Sequence, residues 1–253
     1  MGINKKSKLE EIKKHYHDYT STYLEVVDSA IQSHRSANEE LMLDYYFNVM
    51  GVKSGMKLLD AGCGVCGPAI YFAKEADIII DAINISDTQI EIAKHKIEEF
   101  GLENKINVIC GDYHFLENYY SENDFDIIYF LEAYGHGLNH KKLLESSVSL
   151  LKKGGLLYIK DYFQKDLKDM KRVNKVAKLM NKNFAYNLPC LYDTIGHLRR
   201  LNFEIVKIGK PEFVDDGGIM SAEFSDKSKI KLFQDENEMF SYADIFELIV
   251  RKQ

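Results

Sequence analysis

Basic charge is scarce in this chain: 33 lysines and arginines stand against 39 aspartates and glutamates, for a net charge of −6 and a pI near 5.8. The basic residues are scattered, which excludes a nucleic-acid footprint and leaves small molecules as the expected partners. No run of apolar residues approaches the length of a membrane span. Residues Met1 to Lys14 are polar and lysine-rich with no apolar centre, so no signal peptide is expected and the expected compartment is the cytoplasm. Repeats and low-complexity segments are also lacking. The four cysteines, Cys63, Cys66, Cys110 and Cys190, include one C-x-x-C, but no second C-x-x-C or Cys/His pair completes a metal site. Reduced, mostly buried thiols are the expectation, with no metal.

What is present is enough for a sizeable core. At 253 residues with 45% hydrophobic content, residues 1–253 read as one α/β domain with an added cap. From residue 51 onward, apolar strands alternate with amphipathic helices, the pattern of a doubly wound, mostly parallel sheet covered on both faces. Strands are expected at Lys57–Ala61, Asp77–Ser86, Lys105–Cys110, Asp124–Leu131 and, after a Gly154-Gly155 turn, Leu156–Lys160. A helix over Asp87–Phe100 carries Ile90, Ala93, Ile97 and Phe100 as its stripe, with Ser86 or Asp87 as N-cap and Gly101 as stop. Others are expected at His140–Leu151 and Asp193–Leu201, with strands at Phe203–Ile208 and Asp244–Val250 completing the sheet. Residues 161–190 break the rhythm with a lysine-rich, helix-prone stretch: either a substrate cap over a pocket or a helix packed on the sheet. Residues 1–50 form an N-terminal helical segment, in which His15, Tyr16, His17, Tyr19 and Tyr23 cluster where they could fold back as a lid.

The densest signal is Leu58-Leu59-Asp60-Ala61-Gly62-Cys63-Gly64-Val65-Cys66-Gly67, a strand that breaks into G-x-G-x-x-G. Glycines there let the backbone approach a ligand closely, and the helix beginning near Cys66 points its first N–H groups at the same place. Dehydrogenases and S-adenosylmethionine (SAM) enzymes share such turns. Asp60 favours the second, because a carboxylate two residues before the first glycine can meet the cationic amino group of a bound amino acid. At the end of the second strand, 22 residues past Gly62, stands Asn84, a neutral amide where ribose is usually held by an acid. It serves either as a ribose contact or as a strand-end cap.

Through Leu58-Leu59-Asp60-Ala61-Gly62-Cys63-Gly64, Asn84-Ile85-Ser86-Asp87-Thr88-Gln89, Gly111-Asp112 and Leu150-Leu151-Lys152-Lys153-Gly154-Gly155, the chain resembles the class I SAM-dependent methyltransferases. The resemblance covers about residues 50–162, which contain the cofactor-binding core at 51–160, and implies a Rossmann-like sheet of seven strands, the last antiparallel. It also implies that Asp60, Gly62, Cys63 and Gly64 hold the methionine part of SAM, that Asn84, Ile85 and Gln89 hold the ribose, and that Asp112 and Tyr113 hold the adenine. Tyr16 is the implied lid contact. The segment Leu131-Glu132-Ala133-Tyr134-Gly135-His136 follows the fourth strand, where side chains face the sulfonium methyl group. Its Glu-Ala-x-x-His resembles sterol C-methyltransferases, and an acid at Glu132 resembles tocopherol and prenyl-diphosphate C-methyltransferases. The Asn-Pro-Pro-aromatic motif of adenine and glutamine N-methylation is absent.

The expected reaction is therefore methyl transfer to a small hydrophobic metabolite, with C-methylation of an isoprenoid-like alkene ahead of O- or N-methylation. Glu132 could stabilise the carbocation that alkene attack creates and, with His136 or water, remove a proton; with a hydroxyl or amine acceptor, either would take its proton instead. Each residue also has a plainer reading, Glu132 as a loop cap and His136 as a loop histidine. Arg172, Arg199 and Arg200 are the candidates for recognising a diphosphate, with or without Mg2+, although helix charges of this kind usually form solvated faces. A non-catalytic SAM binder is the competing reading. A nicotinamide oxidoreductase would need an acid or arginine near Asn84. A homodimer is a further expectation that the sequence leaves open.

Overall fold

The computed structural model describes residues 5–36, 38–164, 170–213, 227 and 243–253. Seven strands form one sheet in the order β3-β2-β1-β4-β5-β7-β6. They are β1 (Lys57–Ala61), β2 (Ile79–Asn84), β3 (Ile106–Cys110), β4 (Phe125–Leu131), β5 (Leu151–Gln164), β6 (Phe203–Gly209) and β7 (Ala243–Lys252). The pairs among β1 to β5 are parallel, and β7 runs antiparallel between β5 and β6. The helices are α1 (Lys5–Val27), α2 (Glu39–Met50), α3 (Gly67–Glu75), α4 (Asp87–Glu99), α5 (His140–Leu150), α6 (Met170–Asn183) and α7 (Leu191–Arg200).

Side-chain alternation sorts the strands' residues between two cores. Leu58, Ile127, Tyr129 and Tyr158 face the side covered by α2, α3 and α4, where Tyr46, Phe72 and Ile90 meet them. Leu59, Ile128, Phe130 and Ile159 face the other side, against Leu143 and Leu144 of α5 and Leu198 of α7. Helix starts follow side-chain caps: Asn38 accepts from Leu41 N at 3.1 Å, and Ser86 from Gln89 N at 3.4 Å.

Two expectations change. Strand β5 does not wait for the glycine pair: Leu151 already pairs with Phe125, and a register shift there absorbs Gly154, at φ +78°, and Gly155. The strand also runs past Lys160, because β7 pairs with Asp161, Tyr162, Phe163 and Gln164, residues expected to open the cap. Of the cap itself, α6 packs Ala177 and Met180 against Tyr162, Ala243 and Ile245, so its apolar face is spent on the sheet and none of its residues lines the cavity described below. Arg199 and Arg200 sit exposed at the end of α7, away from that cavity, and the Arg172 side chain lies outside what is described. No helix among the described residues is long and apolar enough to cross a membrane. No group of three metal-ligating side chains occurs among them.

Candidate functional site

The strand order reverses direction between β1 and β4, and open sheets of this kind bind ligands in the crevice at the carboxyl ends of the strands beside that switch. A cavity lies there. Its floor is Asp60 near the end of β1 with Gly62, Cys63 and Gly64 after it, and Asn84 at the end of β2 with Ile85 and Gln89 after it. Tyr113 closes one end, Leu131, Glu132, Ala133 and His136 after β4 form a wall, and Ile12 and Tyr16 of α1 cover it. Of the residues expected to hold SAM or to act in catalysis, Asp112 alone lies outside this lining: it caps the following 3-10 turn by accepting from His114 N at 2.9 Å.

The glycine turn is shaped by left-handed backbone, with φ of +92° at Gly62, +55° at Gly64 and +62° at Cys66, the residue before α3. A Cβ on Gly62 would lie 2.4 Å from Ala133 Cβ, whereas one on Gly64 would meet only Ile31 Cδ1, at 3.9 Å. Gly62→Ala is therefore expected to cost about 2–5 kcal/mol, left-handed strain plus overpacking, and Gly64→Ala about 1–2 kcal/mol for strain alone. Urea unfolding of the two variants checks the difference; equal losses would refute the close approach of β1 and β4 loops at this point.

Two buried amide nitrogens in the lining, Gln32 Nε2 and Gln89 Nε2, have no partner, and the Asp60 carboxyl meets only the neighbouring Tyr129 hydroxyl. The amide orientations follow from the network. Gln32 Oε1 accepts from Tyr46 Oη and Lys160 Nζ, both at 2.9 Å, which leaves its NH2 without a partner. Asn84 Oδ1 accepts from Ile85 N at 3.0 Å and its NH2 donates to Gln89 Oε1 at 2.6 Å, leaving the Gln89 NH2 free. Burial pushes the Asp60 carboxyl up to about 7. A buried orphan costs stability, so an acceptor and two donors in one crevice mark a place built for a polar ligand.

Glu132, by contrast, is saturated. It follows β4 with φ +54°, and its two oxygens accept from four donors: Ser33 N at 2.7 Å, Ser33 Oγ at 2.6 Å, His34 N at 2.9 Å, and the Lys160 ammonium. Lys160 is itself fully buried, and its three protons are matched by Glu132, Gln32 Oε1 and the His34 carbonyl. Burial alone would raise the Glu132 carboxyl, but the Lys160 charge and these hydrogen bonds outweigh it and hold it below the usual value. An acid with no free lone pair and a depressed pKa is the ionised half of a buried pair with Lys160 and a staple for the 32–34 loop, not a proton acceptor. The sequence carries a sign of this arrangement: Lys160-Asp161 interrupts the otherwise apolar run Leu156 to Phe163. Gln32 and Ser33 were missed because a short polar loop far from the glycine turn gives no local pattern.

His136 and Tyr16 meet: Tyr16 Oη lies 2.8 Å from His136 Nε2. His136 Nδ1 faces the Ala185 carbonyl at 3.3 Å, so Nδ1 carries the proton and Nε2 accepts from Tyr16. Burial pulls the imidazole down to about 3. Behind it, Asp161 accepts from Gly135 N at 2.8 Å and from the Tyr186 hydroxyl, whose ring packs edge-on against His136. Helix α1 is fastened to α4 by the Lys13–Asp87 ion pair, at 2.7 Å, and by His17 and Thr88, at 3.1 Å.

The sequence profile of the mycolic acid cyclopropane synthetase family matches residues 5–210, which take in α1, the glycine turn, the Glu132 wall and α7. The chain belongs to this family of class I SAM-dependent methyltransferases. Among its relatives is a sterol 24-C-methyltransferase of Aspergillus fumigatus, 35% identical over 125 residues, or 49% of this chain and 33% of that protein. The family member described here thus spans about a third of that relative's length. Two solved structures share its fold: the [4+2]-cyclase SpnF, with a TM-score of 0.76 at 18% identity over 96% of this chain and 95% of the other, and a geranyl diphosphate methyltransferase, with a TM-score of 0.75 at 12% identity over 97% and 100%.

Proposed function

We propose that this protein transfers the methyl group of SAM to an alkene carbon of a small, isoprenoid-like substrate. The observation that carries the reading is a set of polar groups in the crevice that the protein leaves open: two amide nitrogens without a partner, and the Asp60 carboxyl, met only by Tyr129. Gln32 stands beside Lys160 of β5, Asp60 near the end of β1, and Gln89 beside Asn84 of β2, so a donor, an acceptor and a donor follow one another across the sheet. They fit the carboxylate, the ammonium and the ribose hydroxyls of SAM in that order, with Tyr113 at the adenine end. The glycine turn leaves room for the methionine part at Gly62 to Gly64. When bound, SAM supplies an electrophilic methyl group on a sulfonium.

What the chain's own residues do favours carbon over oxygen or nitrogen as the acceptor. Deprotonating a hydroxyl or an ammonium at neutral pH calls for a base poised near 7. His136 is held near 3, Glu132 is saturated and ionised, and Asp60, pushed up to about 7, is taken by the SAM ammonium in this reading. The rings of Tyr16 and Tyr113 in the lining suit a reaction that develops positive charge on substrate carbon instead. The names of the sterol and geranyl diphosphate methyltransferases point to the same class of acceptor.

The test is incubation with methyl-labelled SAM and a panel of prenyl diphosphates, sterols, quinols, phenols and amines. Label on an alkene carbon is the expected result. Label on oxygen or nitrogen would overturn the alkene reading, and SAM binding with no labelled product would favour a non-catalytic binder or another chemistry on this fold.

A further inference from the structure

We infer that Tyr16 and His136 act together as the proton acceptor that completes methyl transfer to the alkene, with the Tyr16 hydroxyl as the group that meets the substrate proton. The inference rests on the alkene reading above. It is needed because that reaction must discard a proton, and the acid at the wall of the cavity cannot take it: all four acceptor positions of Glu132 are filled.

Tyr16 reaches the cavity from α1, and its proton is directed at His136 Nε2, 2.8 Å away. Its oxygen therefore keeps lone pairs that are not committed to the imidazole. His136 is fixed in the tautomer that can receive, because Nδ1–H is engaged by the Ala185 carbonyl and the ring is wedged between Tyr16 and Tyr186, at centroid distances of 5.4 and 4.8 Å.

The balance closes. The alkene π pair bonds to the methyl carbon as the carbon–sulfur bond breaks, its pair staying on sulfur, and the positive charge moves to the neighbouring substrate carbon. A C–H pair beside that carbon becomes the new double bond. Its proton goes to the Tyr16 oxygen while the Tyr16 proton passes to His136 Nε2, and the imidazolium loses it to water once product leaves. A weakly basic, buried imidazole suffices because a proton next to a carbocation is very acidic; the same imidazole would fail against a phenol.

Tyr16→Phe keeps the ring and deletes the relay. The prediction is that SAM affinity, read by calorimetry, changes by less than about threefold, that turnover falls by about 10²–10⁴, and that the stranded cation is diverted to alcohol or to an isomeric alkene. A loss carried entirely by SAM affinity, or unchanged turnover and product ratio, overturns the inference. Nitrogen NMR of labelled His136 gives a readout that needs no substrate. Protonated Nδ1 and hydrogen-bonded, unprotonated Nε2 are expected at pH 7, with the Nε2 signal moving in Tyr16→Phe. The opposite tautomer, or an imidazolium, overturns the relay whatever the acceptor. Correct NMR signatures in an enzyme that methylates no alkene would place the failure in the alkene reading, and the relay's role in it would fall too.

Discussion

Glu132→Gln is expected to cost the folded protein about 3–5 kcal/mol, because it leaves the Lys160 ammonium buried without a counter-charge. The amide also turns an NH2 toward one of the Ser33 donors, so a hydrogen bond becomes a clash of donors. The loop bearing Gln32 and Ser33 is held to β4 and β5 through this carboxylate, so SAM affinity should fall along with stability. Urea unfolding reads the first effect and calorimetry the second. Adding Lys160→Met to the variant removes the stranded charge and should restore most of the stability, since a buried ion pair is often replaceable by apolar groups of similar size. SAM affinity should stay low in the double variant, because Ser33 and His34 remain unanchored. A single-variant loss below about 1 kcal/mol would mean that the pair behaves as a surface salt bridge, and its role as a staple for the loop would go with it.

Much of the crevice was legible because it is written in local pattern. The run Leu58 to Gly67 spells strand, acid and left-handed turn within ten residues, and Asn84 to Gln89 spells strand end, cap and helix start. Glu132 and His136 were readable as residues of the wall, since strand ends at a switch point face the ligand. Their states were not. Whether a carboxylate is a base or half of a buried pair depends on Lys160, Ser33 and His34, and whether a histidine is basic depends on its burial, and none of these partners is near in sequence. Asp112 shows the reverse limit: its motif is local, yet its carboxylate is taken by its own turn and His114. The break in rhythm at Asp161 misled for a related reason. Lys160-Asp161 looks like the end of a strand to any local reading, but pairing with β7 continues to Gln164, and that partner strand lies some eighty residues onward.

Asp60→Asn should weaken SAM binding by ~30- to ~5,000-fold at pH 8, the scale of about 2–5 kcal/mol for removing one partner of a buried charge pair. The carboxyl's elevated pKa makes this binding depend on pH. Burial raises it to about 7 in the free protein, so below that pH the group is largely protonated and presents no charge to an ammonium. Binding a cation requires the carboxylate, so SAM affinity should fall as pH drops below 7, by up to about tenfold per unit, until the pKa of the occupied site is reached. The variant has no such proton to lose, and its affinity should be nearly flat over the same window. Stability should move the other way. A folded-state pKa above the unfolded value means that the free protein loses stability as pH rises from about 4 through 7, so Asp60→Asn is expected to match or exceed the parent in urea at pH 8. Methylthioadenosine, which keeps the nucleoside but lacks the amino acid, supplies the control. Its affinity should respond neither to the substitution nor to pH through this group. Equal loss of both ligands would show that Asp60 supports the turn as a whole, and that the methionine group is held elsewhere.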